Sequence, residues 1–140
     1  MSPPTAADFA FAYRQRVRFG ETDMQGVVYY ANYLLYAEVG RFAYLQHRGL
    51  DYRRDLLERG LDFTIASASV RYLVPLRYPD EFDIHVKVGE VRHSSWRFDY
   101  LVAKADGTPC ATIETAQVVL DRANGRPTRI PSSLAETLRR

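Results

Sequence analysis

The sequence predicts an α+β fold in which one long buried helix is wrapped by a five-stranded antiparallel sheet. Three observations predict it. A strand with one charged face comes early in the chain. A stretch that is apolar around most of a helical circumference follows it. From there on, alternating apolar runs are separated by turn signals, as antiparallel strands require.

Residues 1–12 read as a flexible leader, because MSPPTAADFA carries Pro3, Pro4 and small residues. Residues 13–140 form a single domain, long enough to bury a core without metal or disulfide support. From Tyr13 to Phe19 the residues alternate, with Tyr13, Gln15, Val17 and Phe19 on one face and Arg14, Arg16 and Arg18 on the other. Gly20 to Gly26 is a polar loop. Val27 to His47 is the helix, and Ala31, Leu34, Leu35, Ala37, Val39, Phe42, Ala43 and Leu45 cover most of its surface. Glu38 and Arg41, three apart, form an ion pair in or beside the core. Gly49 ends the helix, and Asp51 to Arg59 is a short polar helix closed by Gly60.

Four strands follow. Leu61 to Val74 has a centre of small residues, Ala66-Ser67-Ala68-Ser69. Phe82, Ile84, Val86 and Val88 alternate with polar residues until Gly89 breaks the phase, which predicts a bulge or bend. Trp96, Phe98, Tyr100 and Val102 mark the next strand, Asp106-Gly107 a hairpin turn, and Ala111 to Asp121 the last strand. After the turn at Asn124-Gly125, a terminal helix begins near Pro131, with Ser132 or Ser133 as its cap. The strands are long and their outward faces are not uniformly polar. A second subunit is therefore expected to cover those faces or edges.

Composition excludes several functions. A net charge of +2 is too small to imply nucleic-acid binding. No apolar run approaches a membrane span, and no basic-then-apolar leader suggests export. Cys110 is the only cysteine and sits in an apolar alternating stretch, so it reads as a core residue in a reducing cytoplasm. Phosphate loops, dinucleotide glycine fingerprints and the GxSxG nucleophile elbow are absent. His47, His85 and His93 lie far apart, so neither a metal nor a cofactor is expected.

One segment carries chemistry: FGETDMQGVVYYANY, from Phe19 to Tyr33. It places the carboxylate of Asp23 in a loop just before a helix start, and Gly26 lets that loop turn tightly. Helix starts offer unpaired N–H groups and a positive dipole end. Those groups stabilise an oxyanion, while the carboxylate either attacks a carbonyl or takes a proton from water. The combination suffices to open a thioester. Spacing alone also leaves Thr22 and Asp23 open as ordinary turn and cap residues.

The stretch from Arg16 to Arg41, RVRFGETDMQGVVYYANYLLYAEVGR, resembles the signature of 4-hydroxybenzoyl-CoA thioesterase-like hotdog proteins, which include the thioesterase encoded with the Tol-Pal envelope system. VRYLVPLRYPD, from Val70 to Asp80, and GRPTRIP, from Gly125 to Pro131, resemble the same family. The resemblance implies a hotdog fold, acyl-CoA as substrate, and a homodimer or homotetramer with its active site at the dimer interface. It puts the catalytic aspartate on Asp23 and the main-chain oxyanion donor on Tyr30, with Gly26 between them. Many relatives nearest the Tol-Pal enzyme carry histidine where Tyr30 stands, whereas the hydroxybenzoyl enzyme has tyrosine. The family's CoA-phosphate cluster falls on Val91 to Ser95, where Arg92 is the one fixed cation and His93 follows. Phe63, Thr64 and Ile65 are expected to line the acyl pocket. A non-catalytic acyl-CoA-binding module and a hotdog dehydratase or hydratase are the alternatives. The dehydratase reading lacks a histidine in the Asp23 segment, and the chain has no room for the DNA-binding part of a regulator.

Overall fold

The computed structural model describes residues 4–140. Five strands, β1 (Phe11–Arg16), β2 (Leu61–Tyr72), β3 (Glu81–Val91), β4 (Ser95–Lys104) and β5 (Pro109–Asp121), form one antiparallel sheet in the order β1-β3-β4-β5-β2. Helix α1 (Asn32–His47) lies on its inner face. A one-turn α2 (Tyr52–Asp55) and a terminal α3 (Ser132–Arg139) complete the chain. This is the hotdog arrangement that the sequence leads one to expect.

Strand alternation builds the core. Phe82, Ile84 and Val86 of β3, Trp96, Phe98, Tyr100 and Val102 of β4, and Ala111 and Ile113 of β5 are all buried on the inner face. Burying each large side chain contributes about 1.5–3 kcal/mol. The phase break at Gly89 is a register shift between Val88 and Val91. Cys110 is a free, buried core residue, and burial pushes its thiol up in pKa.

Five expectations need correction. Helix α1 starts at Asn32 rather than Val27. Val28 instead bridges Thr22, and Tyr29 to Ala31 make a turn into the helix. Within one chain α1 buries a single stripe, Tyr33, Tyr36, Ala37, Gly40, Arg41, Tyr44 and Leu45, while Leu34 and Leu35 remain exposed because the sheet covers only one side. The Glu38–Arg41 pair is loose at 3.9 Å and leaves Glu38 exposed; Arg41 is buried, and its Nε has no partner among the described residues. Pro131, not a serine, caps α3, and no side chain bonds to that helix start.

The fifth correction concerns the leader. Its first three residues lie outside the described part. Thr5 N–H donates to Asp8 Oδ2 at 2.8 Å across a short 3-10 turn, and β1 begins at Phe11. The apolar Phe9 supplies the physical reason: its ring packs 5.6 Å from the His85 ring and lies 4.8 Å from the Lys87 ammonium, on the outer face of the sheet. His85 is buried there, and burial lowers its pKa; the nearby Asp83 acts the other way. A histidine kept neutral in the fold contributes stability in full above its unfolded pKa, about 6.5. That contribution is lost as pH falls through this value toward the lower folded one. The melting temperature should therefore drop between neutral pH and about 5.5, and His85→Gln should flatten that slope in thermal melts. A mutant slope equal to wild type would assign the acid sensitivity to other groups.

Helix and sheet approach closely at Gly40. A Cβ placed there would sit 2.5 Å from Ile84 Cγ2 and 3.1 Å from Val86 Cγ2. Both neighbours are stiff β-branched side chains in the core, so neither can swing away. Alanine is the better helix former by about 1 kcal/mol. Even so, Gly40→Ala should lower unfolding stability by about 1–3 kcal/mol through overpacking, measured by urea denaturation. An unchanged or raised midpoint would mean that α1 can lift off β3.

Candidate active site

The loop between β1 and α1 is held by a run of backbone hydrogen bonds, with side-chain bonds from Glu21, Thr22, Asn32 and Tyr72 beside them. Asp23 N–H donates to Val27 O at 2.9 Å, and Gly26 N–H donates to Asp23 O at 2.9 Å. Gly26 has φ +79, a conformation that a side chain would strain. Val28 N–H donates to Leu76 O at 2.8 Å, tying the loop to the segment after β2. Asp23 is half-buried. Its Oδ1 accepts from Gln25 N–H at 2.8 Å, and its Oδ2 has no protein partner among the described residues.

Beyond the loop, Tyr29 N–H donates to Glu21 O at 2.9 Å and Asn32 N–H donates to Tyr29 O at 2.9 Å. Between them, the N–H groups of Tyr30 and Ala31 have no acceptor among the described residues. Tyr30 is 62% exposed, and its carbonyl accepts from Tyr72 Oη at 3.0 Å. The Tyr29 ring lies 4.8 Å from that of Tyr30. The Tyr29 phenol is pushed up in pKa first by the Tyr30 hydroxyl beside it and last by the charge of Asp23. The structure thus gathers Asp23, Gly26 and Tyr30 into one loop that offers a carboxylate and unpaired N–H groups. The donors belong to the turn before the helix rather than to the helix itself.

The other expected residues lie elsewhere. Phe63 is near the start of β2, whereas Tyr72, against which Tyr30 packs, ends it. Nine residues at about 3.3 Å each put these ends roughly 30 Å apart. Phe63 is half-buried in a ring cluster with Phe42, Tyr52 and Trp96, at centroid distances of 5.6–6.1 Å. Ile65 shares its inner face. Thr64 does not, because strand alternation turns it to the outer face, so within this chain Thr64 stands apart from the other two. Arg92 and His93 occupy the β3–β4 turn at the Phe63 end. Arg92 is exposed and already paired with Glu90 at 3.1 Å. His93, Arg129 and Arg139 line the same cleft.

Sequence reasoning missed Glu21. Its Oε1 accepts from Arg18 N–H at 2.8 Å and from Tyr36 Oη at 2.9 Å, and its carbonyl accepts from Asn32 Nδ2 at 2.8 Å. An acidic residue three after Arg18 is a capping pattern, which was the available signal. No group of three His, Cys, Asp or Glu side chains among the described residues is arranged to hold a metal. No helix there is long and apolar enough to cross a membrane.

Residues 17–138 match the model of the Thioesterase-like superfamily. The chain belongs to that superfamily. It is 28% identical to the acyl-CoA thioester hydrolase YbgC of Escherichia coli O157:H7, over 89% of this chain and 92% of that one. It is also 28% identical to the 1,4-dihydroxy-2-naphthoyl-CoA hydrolase of Thermosynechococcus vestitus, over 91% and 87% of the two chains. The crystal structure of a hypothetical protein from Aquifex aeolicus superposes with a TM-score of 0.84 at 34% identity, over 91% of this chain and 98% of the other. This superfamily member keeps its loop carboxylate and its ring cluster at opposite ends of one subunit.

Proposed function

We propose that the chain hydrolyses acyl-CoA to free acid and CoA, with Asp23 as the reacting carboxylate, at a site shared between two copies. Its superfamily makes it a thioester hydrolase. The observation that carries the residue assignment is the β1–α1 loop. There a half-buried carboxylate with one oxygen uncommitted shares a loop with N–H groups that have no acceptor. The thioester carbonyl oxygen accepts from Tyr30 N–H, which stabilises the negative charge that develops as the carbonyl becomes tetrahedral. Asp23 either attacks the carbonyl carbon or takes a proton from the attacking water, and the CoA thiolate leaves. Phe63 and Ile65 serve the acyl group. Arg92 and His93, with Arg129 beside them, serve the nucleotide phosphates, for which paired guanidinium bonds are suited. A reducing cytoplasm suits the lone buried thiol of Cys110.

Two features support the shared site. Among the described residues β2 pairs only with β5, so a twelve-residue strand leaves one edge open. Its centre, Ala66 to Ser69, is small and uncharged, and such an edge invites a further strand. Antiparallel pairing of β2 with a copy of itself would set the Tyr72 end of one chain against the Phe63 end of the other. The carboxylate would then lie beside the ring cluster from which it is separated within one chain. The exposed Tyr30, Leu34, Leu35 and Tyr72 flank that edge.

Asp23→Asn is nearly isosteric but cannot attack and accepts a proton poorly. It should lower kcat at least about a hundredfold while the melting point stays near wild type, measured by CoA thiol release across a panel of acyl-CoAs. Near-normal turnover would remove Asp23 from the mechanism. Light scattering at micromolar concentration should give twice the mass of one chain or more, with no monomer. A stable, active monomer would contradict the shared site.

A further inference from the structure

We infer that Glu21 is a positioning residue that sets the direction of the Tyr30 N–H relative to Asp23; this rests on the thioesterase reading above. Glu21 sits two residues before Asp23, and both its ends are occupied. Its carbonyl oxygen accepts from Tyr29 N–H at 2.9 Å and from Asn32 Nδ2 at 2.8 Å. These donors lie on either side of the Tyr30–Ala31 turn, so one oxygen ties both flanks of the segment whose N–H groups are unpaired. Its carboxylate accepts from Arg18 N–H at 2.8 Å and from the hydroxyl of Tyr36 at 2.9 Å. Tyr36 is buried in the stripe of α1 that packs on the sheet, its ring 4.7 Å from that of Phe82. Burial, and then the bond to Glu21, raises the Tyr36 phenol in pKa, so it remains a neutral donor. The Thr22–Val28 bridge lies directly between Glu21 and the Asp23 turn.

Glu21 therefore links three things: the core through Tyr36, the Asp23 loop through its own chain, and the turn before α1 through its carbonyl. The Tyr30 carbonyl is held separately by Tyr72 Oη at 3.0 Å. The Tyr30 N–H shares its peptide plane with the Tyr29 carbonyl, which accepts from Asn32 N–H at 2.9 Å, so that peptide has little freedom to rotate and its N–H is aimed in advance of substrate. An oxyanion donor stabilises the transition state without reorganisation only when aimed in this way. Small misplacements at such a group cost rate steeply. Glu21 touches no substrate atom in this scheme, so its removal should slow chemistry and leave binding alone.

The test is steady-state kinetics of Glu21→Ala and Glu21→Gln beside Asp23→Asn, on whichever acyl-CoA of a panel the wild type turns over fastest. Glutamine keeps an acceptor oxygen for both Arg18 N–H and the Tyr36 hydroxyl. Glu21→Ala should lose about tenfold or more in kcat with KM within about twofold, and Glu21→Gln should stay within about threefold of wild type. Should Glu21→Ala fail to fold, Tyr36→Phe removes one of the hydrogen bonds alone and should lower kcat about three- to tenfold at unchanged KM. A wild-type kcat in Glu21→Ala, or in Tyr36→Phe where the alanine variant does not fold, overturns the inference. So does a Glu21→Gln loss as deep as that of alanine, which would make the charge of Glu21 the acting feature. An active Asp23→Asn would sink the underlying reading instead, so the two failures can be told apart.

Discussion

The contact of Gly40 with Ile84 and Val86 is the constraint on which the rest of the structure depends. The sheet can wrap the helix this closely only because α1 carries no side chain at Gly40, where it faces Ile84 and Val86 of β3. A glycine in a helix interior costs about 1 kcal/mol in propensity. What it secures is the depth at which α1 sits, and hence the burial of Tyr33, Tyr36 and Tyr44 on either side of it. Tyr36 reaches Glu21, and the hydroxyl of Tyr33 accepts from Leu76 N–H at 3.3 Å. Leu76 in turn holds Val28 through its carbonyl. The Asp23 loop is therefore fixed to the core by groups whose positions follow from how deeply the helix is seated.

That seating also leaves one side of the molecule unfinished. α1 lies mainly over β3 and β1, so the inner face of β2 is only partly covered. Phe63 is half-buried, while Ile65 and Tyr72 are exposed on the same side as Leu34 and Leu35. Arg41 marks the boundary: it is a buried guanidinium, and its one carboxylate neighbour among the described residues, Glu38, lies 3.9 Å away and is itself exposed. The open strand edge, the exposed aromatic rings and the under-satisfied arginine are what the proposed pairing with a second copy would cover.

Much of this was legible in the residues. Period-two alternation located β3, β4 and β5, because each has one face turned to the core. Gly49, Gly60, Gly107 and Gly125 all adopt positive φ where the sequence signalled a stop or a turn. The turn from Asp23 to Gly26 was legible because local backbone chemistry defines it, whereas Tyr30 was singled out only by the family resemblance. Tertiary packing hid the remainder. The true start of α1 was obscured because Val27 to Ala31 are as apolar as the helix that follows, and only the Thr22–Val28 bridge and the turn after it set them apart. Phe9 looked like part of a frayed leader because its partners, His85 and Lys87, lie more than seventy residues away. Glu21 stayed hidden because its meaning depends on Tyr36, which periodicity alone assigns to the core.

The two ends of the proposed site are built from different materials. Around Asp23 and Tyr30 most of the positioning bonds involve main-chain atoms, and the side chains among them, Glu21, Asn32 and Tyr72, meet backbone groups. Such a framework fixes where a carbonyl must sit and is indifferent to what the carbonyl is attached to. Around Phe63, by contrast, the contacts are ring against ring, and the cleft beside Arg92 is lined by exposed cations. Ring packing depends on the size and shape of each side chain, so substitutions there alter which acyl group fits. Pairing β2 with its own copy would join a backbone-fixed geometry from one chain to an adjustable surface from the other. Acyl preference could then be changed by residues that share no hydrogen bond with the groups performing the chemistry.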